Sequence, residues 1–284
     1  MAIPKAKGIA YVQKRIVPIE EADIHLKILA YGRNGTQKTR FAATAPKPLI
    51  IDVDEKGTKS ARKFKGAEVF HVKRWEEIVW AYWYLKAGNH KHQSVVIDTI
   101  TGMQNVCMKQ VLKESEERDP SKDPKTATMR DWGKLAQLMK EQLLNFRNLP
   151  MHVIFVAQER TVDDPDTETS ERVPDLSPGS RATATACVDI IGRCYQREIR
   201  GTRNGKEVKK WEPRMLVGPS DEFTTKDRTG VLGRIVRNPT VPTILQAAML
   251  GGMSNGEDQE GHDEQGDDDG RRPKQGRRRK EKVS

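Results

Sequence analysis

From residue 24 onward, short runs of apolar, β-favouring residues alternate with stretches in which apolar positions recur every three or four residues. The runs are Ile24 to Ala30, Leu49 to Val53, Val69 to Val72, Val95 to Asp98, and Val153 to Ala157. Nearly continuous apolarity, rather than strict alternation, marks strands buried on both faces of a sheet. Between them, Trp75, Ile78, Val79, Tyr82 and Leu85 fall at helical spacing, as do Trp132, Leu135, Met139, Leu143 and Phe146. An apolar stripe at that period is a core-facing helix surface, so these aromatics are expected in the core and not as stacking platforms. The alternation predicts an α/β domain with a mostly parallel central sheet covered by helices.

The pattern breaks after Ala157. Residues Gln158 to Thr185 are polar and rich in Asp, Thr, Ser and Pro, which predicts a long loop of the kind that carries function. Two β-type segments follow, Val188 to Arg200 and Lys209 to Val217, joined across Asn204 and Gly205. Asn-Gly supplies the positive φ angles of a tight hairpin, so an antiparallel pair is expected at the C-terminal edge of the sheet. From Ser254 the chain is first acidic and then basic, a composition that buries little and predicts a disordered tail. The expected organisation is an N-terminal arm (1–23), one domain (24–250) and the tail (251–284).

The formal charge of +10 resides in the body, because Ser254 to Ser284 holds 8 Lys+Arg against 9 Asp+Glu. A body this basic favours a polyanionic partner. No stretch approaches the apolar length of a membrane span, and Met1 to Ala10 lacks the apolar centre of a signal peptide, so a soluble, cytoplasmic protein without membrane contact is expected. Cys107, Cys187 and Cys194 form no C-x-x-C pair and read as reduced, packed thiols. His90 and His92 flank a turn after Gly88 and read as solvated, not as zinc ligands.

The densest chemistry follows the first strand. Gly32, Arg33, Asn34, Gly35, Thr36, Gln37, Lys38 and Thr39 fit G-x-x-x-x-G-K-[ST] except that Gln37 stands where the pattern has glycine. Such a loop aims successive backbone N–H groups at the β-phosphate of a nucleotide, and the helix behind it, opened by Arg40, adds the positive end of its dipole. Lys38 is placed to reach the β- and γ-phosphates, and Thr39 to hold Mg²⁺. Glycine at position 37 would keep the backbone close to the phosphates, so a side chain there has to point away.

Three further strand ends deliver polar groups to the same rim. Val95 to Asp98 ends in a carboxylate suited to hold Mg²⁺ opposite Thr39, a Walker B strand. The run Leu49 to Val53 leads into a cluster containing Asp52, Asp54 and Glu55, where a carboxylate would orient and deprotonate an attacking water. The strand from His152 to Ala157 ends in Gln158, an amide placed to sense the γ-phosphate and to signal to the segment behind it.

Strand, phosphate loop, acidic-tipped strand, Walker B strand and a strand ending in Gln form the order of the RecA-like P-loop NTPases, which this chain resembles. The stretch Thr225, Lys226, Asp227, Arg228, Thr229, Gly230 resembles the K-x-R-x-G motif of the RadA and DnaB branches. Together with Val173 to Leu176, it is most similar to phage-encoded single-strand annealing ATPases of the Sak-four group, over Ile24 to Met249. The resemblance implies ATP and Mg²⁺ as cofactors. It implies that Lys38, Thr39 and Asp98 serve phosphate and metal, and that Asp54, with Glu55 next, occupies the place of a catalytic glutamate. It further implies that Lys226 and Arg228 reach a neighbour's nucleotide in a ring or filament, and that the active form is a homo-oligomer.

The resemblance also implies single-stranded DNA as partner, contacted by the loops Glu116 to Thr128 and Gln158 to Thr185. Candidate phosphate contacts are Lys122, Lys125, Arg160, Arg172 and Arg181. Neither loop holds an aromatic residue, so binding is expected to be salt-sensitive and largely independent of sequence. The expected function is ATP-dependent single-strand binding in recombination or annealing, in the host cytoplasm if the protein is phage-encoded, with the tail available to a single-strand-binding protein. A DnaB-like helicase or loader motor and a nucleotide-gated scaffold with little hydrolysis are the competing readings. Gln37 and the shorter Asp54 bear on the rate of hydrolysis more than on binding.

Overall fold

The computed structural model describes residues 5–18, 25–53, 57–121, 123, 126–164, 169–203 and 206–250. Asp54, Glu55, Lys122, Lys125, the Asn204-Gly205 turn and the tail 251–284 lie outside them. So does part of the arm, whose described portion includes helix α1 (Lys5–Gln13).

The central sheet runs β10 (Ile235–Arg237), β8 (Lys206–Leu216), β7 (Ile190–Arg203), β1 (Lys27–Gly32), β5 (His152–Asp164), β4 (Ser94–Asp98), β2 (Pro48–Val53), β3 (Glu68–Val72). From β7 to β3 every neighbour is parallel, whereas β8 and β10 are antiparallel edge strands. This is the expected α/β fold, a mostly parallel sheet with antiparallel strands at the C-terminal edge. The strand carrying the phosphate loop and the Walker B strand are not neighbours: β5 lies between them, paired to β1 from Lys27↔Val153 to Gly32↔Gln158.

Each central strand is buried on both faces, and its side chains alternate between two apolar layers. Leu29, Tyr31, Ile51, Val53, Ile97 and Phe155 pack under helices α3 (Trp75–Ala87), α4 (Ile100–Arg118) and α5 (Met129–Arg147). Ile28, Ala30, Ile50, Val96 and Ile154 pack with α2 (Lys38–Ala42), the short 3-10 turn Gly57–Ala61 and α7 (Val241–Leu250). The amphipathic stripes behave as read, with one exception: Trp132 is 44% exposed while Leu135, Met139, Leu143 and Phe146 are buried. Trp132 sits in the first turn of α5. The helix behind the phosphate loop starts at Lys38 and is shorter than the run Arg40 to Ala45 suggested.

The reading of Gln158 to Thr185 as a loop is corrected. β5 continues through Gln158 to Asp164 and turns back as β6 (Thr169–Pro174), paired from Glu159↔Pro174 to Asp164↔Thr169, and α6 (Pro178–Ala186) follows. The extension carries solvent on its flanks, so it lacks the apolar run that revealed the buried half of the same strand. Glu116 likewise belongs to α4 and not to a loop. The expected C-terminal hairpin is present, with β7 and β8 in register from Arg193↔Leu216 to Arg203↔Lys206. Cys107, Cys187 and Cys194 are buried and free. Among the described residues no helix is long and apolar enough to cross a membrane.

Candidate functional site

β1 ends at Gly32, where the chain must turn under its neighbour. A Cβ on Gly32, whose φ is +154°, would lie 2.3 Å from the Cys194 carbonyl oxygen on β7, so only glycine fits that passage. The loop then folds back on itself. Thr36 Oγ1 donates to the Arg33 carbonyl at 2.8 Å, and Gln196 Nε2 of β7 donates to the Gly35 carbonyl at 2.6 Å.

Gln37 adopts φ 67° and ψ 24°, the left-handed conformation that glycine normally supplies. Its side chain turns away from the loop and accepts a hydrogen bond from Arg40 Nη1 at 3.2 Å. The backbone geometry of the pattern is therefore kept without its second glycine.

Lys38 is buried. Its ammonium donates to the carbonyls of Gly32 (2.7 Å) and Arg33 (2.9 Å) and to Gln158 Oε1 (3.2 Å). Thr39 Oγ1 donates to Asp98 Oδ2 at 2.6 Å. A hydroxyl and a carboxylate oxygen this close, at the end of the loop and at the tip of β4, are the hard oxygen pair Mg²⁺ takes when phosphates and water complete its shell. These residues fit the metal the fold implies, and among the described residues no His, Cys, Asp or Glu cage for a metal exists elsewhere.

Gln158 is held from three sides. Besides Lys38, its N–H donates to Thr101 Oγ1 (3.1 Å) and its carbonyl accepts from the Asp175 N–H (2.8 Å). Thr101 Oγ1 in turn donates to the Asp175 carbonyl at 3.0 Å. Asp175 follows β6, so the point of β5 that meets Lys38 and the end of the β5–β6 hairpin share one network. Beside it, the nearly buried Glu159 accepts from Arg193 Nε at 2.7 Å and lies 3.5 Å from Arg33 Nε, tying the loop's first cation to the hairpin. Tyr31 donates to the Arg172 carbonyl at 3.1 Å, and burial first, then Glu159, pushes its phenol well above its ordinary value. Burial also holds the Cys194 thiol, under the loop, up at about 12.

Of the carboxylates around β2, Asp52 is the one described. It is 2% exposed and pairs in register with Asp98 on one side and His71 on the other. Asp54 and Glu55 fall outside the described residues.

The remaining candidates lie apart from the loop. β9 (Lys226–Asp227) pairs with Ile190 and Ile191, which themselves flank Ile28 and Leu29. Lys226 and Arg228 thus sit along the amino half of β1, away from their own chain's phosphate loop. Lys226 Nζ donates to the Thr185 carbonyl (2.5 Å) and Arg228 Nη2 to the Ala186 carbonyl (3.2 Å), capping the carboxyl end of α6. Asp227 braces the turn by accepting from the Thr229 N–H and hydroxyl and from the Leu232 N–H. Desolvation first, and then Arg228, lowers the Lys226 pKa. Arg160 lies on β5, 4.0 Å from Asp175. Arg172 lies on β6 with its guanidinium 5.5 Å from the Phe223 ring centre, and Arg181 lies on α6.

Sequence reading missed a cavity of about 350 Å³ beside the loop, walled by Gln37 and Arg40, by Trp211 and Pro213 of β8, and by Pro239 and Thr240. Its walls come from segments far apart in the chain. The exposed Trp211, in a strand of alternating charges, was the available signal.

Loop, lysine, hydroxyl, carboxylate and glutamine define a P-loop NTPase site. Residues 24–229 match the AAA domain family AAA_24, and the chain belongs to that family, an ATPase-type domain. No curated protein matches the chain. Among solved structures, the KaiC-like protein PH0186 from the hyperthermophilic archaeon Pyrococcus horikoshii OT3 is similar at 13% identity and a TM-score of 0.38, over 68% of this chain and 89% of that one.

Proposed function

We propose that this protein binds and hydrolyses Mg²⁺-ATP and uses the nucleotide to set its affinity for single-stranded DNA. The observation that carries the reading is the pairing of Thr39 Oγ1 with Asp98 Oδ2 at 2.6 Å beside a buried Lys38 whose ammonium rests on Gly32, Arg33 and Gln158. In this reading the phosphates replace the loop carbonyls as partners of Lys38. Thr39 and Asp98 would hold Mg²⁺, which would supply charge neutralisation for the transferred phosphoryl group. The exchange loosens Lys38 from Gln158 Oε1, and Gln158 passes the change to the hairpin through Thr101 and Asp175.

The base is assigned to the cavity beside the loop, between Arg40 and Trp211. The DNA reading is supported by the basic body and by Arg160 and Arg172, which stand on the hairpin that starts at Gln158. Lys226 and Arg228, remote from the loop of their own chain, are assigned to a neighbour's nucleotide in a ring or filament.

The test is steady-state ATP hydrolysis by the full chain with and without single-stranded DNA, beside single-strand affinity with and without nucleotide. DNA-stimulated turnover and nucleotide-dependent affinity are expected. Indistinguishable affinities would sink the gating. ATP binding without turnover under any condition would replace the motor by a nucleotide-gated scaffold.

A further inference from the structure

A second, larger cavity of about 640 Å³ opens on the β2–β3 side of the same sheet face. Phe64, Ala67 and Val69 give it apolar walls. Phe64 also lines the cavity beside the phosphate loop, so the two spaces share a wall.

The floor holds the buried Asp52, flanked by the half-buried Thr58 and the exposed His71. Asp52 accepts from Thr58 Oγ1 at 3.2 Å, and His71 Nδ1 lies 3.1 Å away. Both contacts fall on Oδ2. A carboxylate accepts several hydrogen bonds, so this one retains capacity for a donor on a ligand. His71 keeps Nε2 as its second polar atom. The rim is cationic: Lys59, Arg62 and Lys73 line it and are exposed. Between residues 57 and 74 the chain has Lys63, Lys65 and Arg74 besides, against Glu68 as the one acid.

An apolar slot with a buried acceptor at its floor and cations at its mouth suits a flat body bearing an N–H donor with an anion attached. We propose that this cavity is a second nucleotide-binding site. An amino-bearing base meets Asp52 against Phe64, and its phosphate meets Lys59, Arg62 and Lys73. The ligand is either a free nucleotide or one unit of a nucleic acid strand, which present the same base and phosphate. Asp52 and Asp98 are register partners on adjacent strands, so occupancy lies one strand from the carboxylate that faces Thr39. The assignment stands without the phosphate-loop reading.

Equilibrium dialysis of the full chain with labelled AMP, and separately with labelled (dA)12, tests it. The arms are wild type, Arg62→Ala with Lys73→Ala, Asp52→Asn, and Lys38→Ala. The rim double variant changes exposed side chains and is the arm least exposed to misfolding. AMP binding that falls tenfold or more in the rim variant and persists in Lys38→Ala establishes a free-nucleotide site. Binding of (dA)12 alone, with the same rim dependence, establishes the strand as source. Asp52→Asn is expected to weaken either ligand about as much. If neither ligand responds to Arg62→Ala with Lys73→Ala, the proposal is overturned.

Discussion

Lys38 and Lys226 both rest on backbone carbonyls, Lys38 at the carboxyl end of β1 and Lys226, two strands across, at the register of its amino half, and their surroundings make them different instruments. Lys38 contacts carbonyls of a loop beside which Thr39 and Asp98 are aligned for a cation. A cation on the loop beside a hydroxyl and a carboxylate aligned for a metal ion suits a metal-bound phosphate. Lys226 and Arg228 contact the last carbonyls of α6, where the helix concentrates partial negative charge. Their charge is complemented locally, and desolvation makes the Lys226 ammonium easier to deprotonate. Cations on carbonyls therefore become an anion site in one place and a helix cap in the other. To touch a neighbour's phosphate, Lys226 and Arg228 have to exchange the end of α6 for it.

The sharpest way to break the contrast is Arg228→Ala. As an arginine acting in trans, its loss is expected to cut turnover of the assembled protein by about 10³-fold. The cap lost from α6 is worth only about 0.3–1 kcal/mol. ATP affinity should stay within about twofold. Turnover per subunit, thermal melting and calorimetric ATP binding separate the two roles. Melting alone changing, with turnover intact, would leave Arg228 as a cap and nothing more.

At the phosphate loop, Lys38→Ala removes a charged partner of the phosphates from a buried position. Losses of this kind are about 2–5 kcal/mol, so ATP affinity should fall between roughly 30-fold and several thousandfold. The melting temperature without ATP should move less, because the loop is also pinned by Thr36 and Gln196. Isothermal titration with ATP reads the first and calorimetric melting the second. Retained affinity would mean that loop N–H groups alone bind the phosphates.

A smaller effect belongs to Trp211. Base stacking on an aromatic contributes about 1–3 kcal/mol, so Trp211→Ala should weaken ATP roughly tenfold while inorganic tripolyphosphate binds as before. Equal loss of both ligands would place the base elsewhere and make Trp211 a support for the loop.

The two regions also differ in how far they could be read from sequence. The phosphate site was legible because its chemistry is local: the loop is eight consecutive residues, and Asp98 and Gln158 end apolar runs that announce their own strands. What makes it work was not. The clash that forces Gly32 comes from Cys194, and the latch on Gly35 comes from Gln196, both far along the chain. The β5–β6 hairpin escaped notice because solvent-flanked strands have no apolar run, and Thr169 to Arg172 look like loop by composition. Lys226 and Arg228 were legible as a motif, yet their contacts with α6 exist only in three dimensions. The register row of Asp98, Asp52 and His71 is a property of the sheet, invisible in three separate strands.

Gln37 offers the smallest perturbation and a direct comment on the loop itself. A non-glycine residue in the left-handed region costs about 1–2 kcal/mol of backbone strain, which Gln37→Gly would relieve. Glycine also widens the unfolded ensemble, which costs about 0.4–1 kcal/mol, and the exposed contact with Arg40 is lost. These terms oppose, so melting should shift by no more than about 1 kcal/mol in either direction. The φ of 67° at Gln37 already has the sign glycine would supply, so the N–H groups facing the phosphates keep their aim. ATP affinity is therefore expected to stay within about threefold, measured by titration on the variant and wild type together. A gain of tenfold or more would show that the glutamine side chain holds the loop off the nucleotide. The departure from the pattern would then act as a brake on binding, where the geometry describes it as a tolerated substitution.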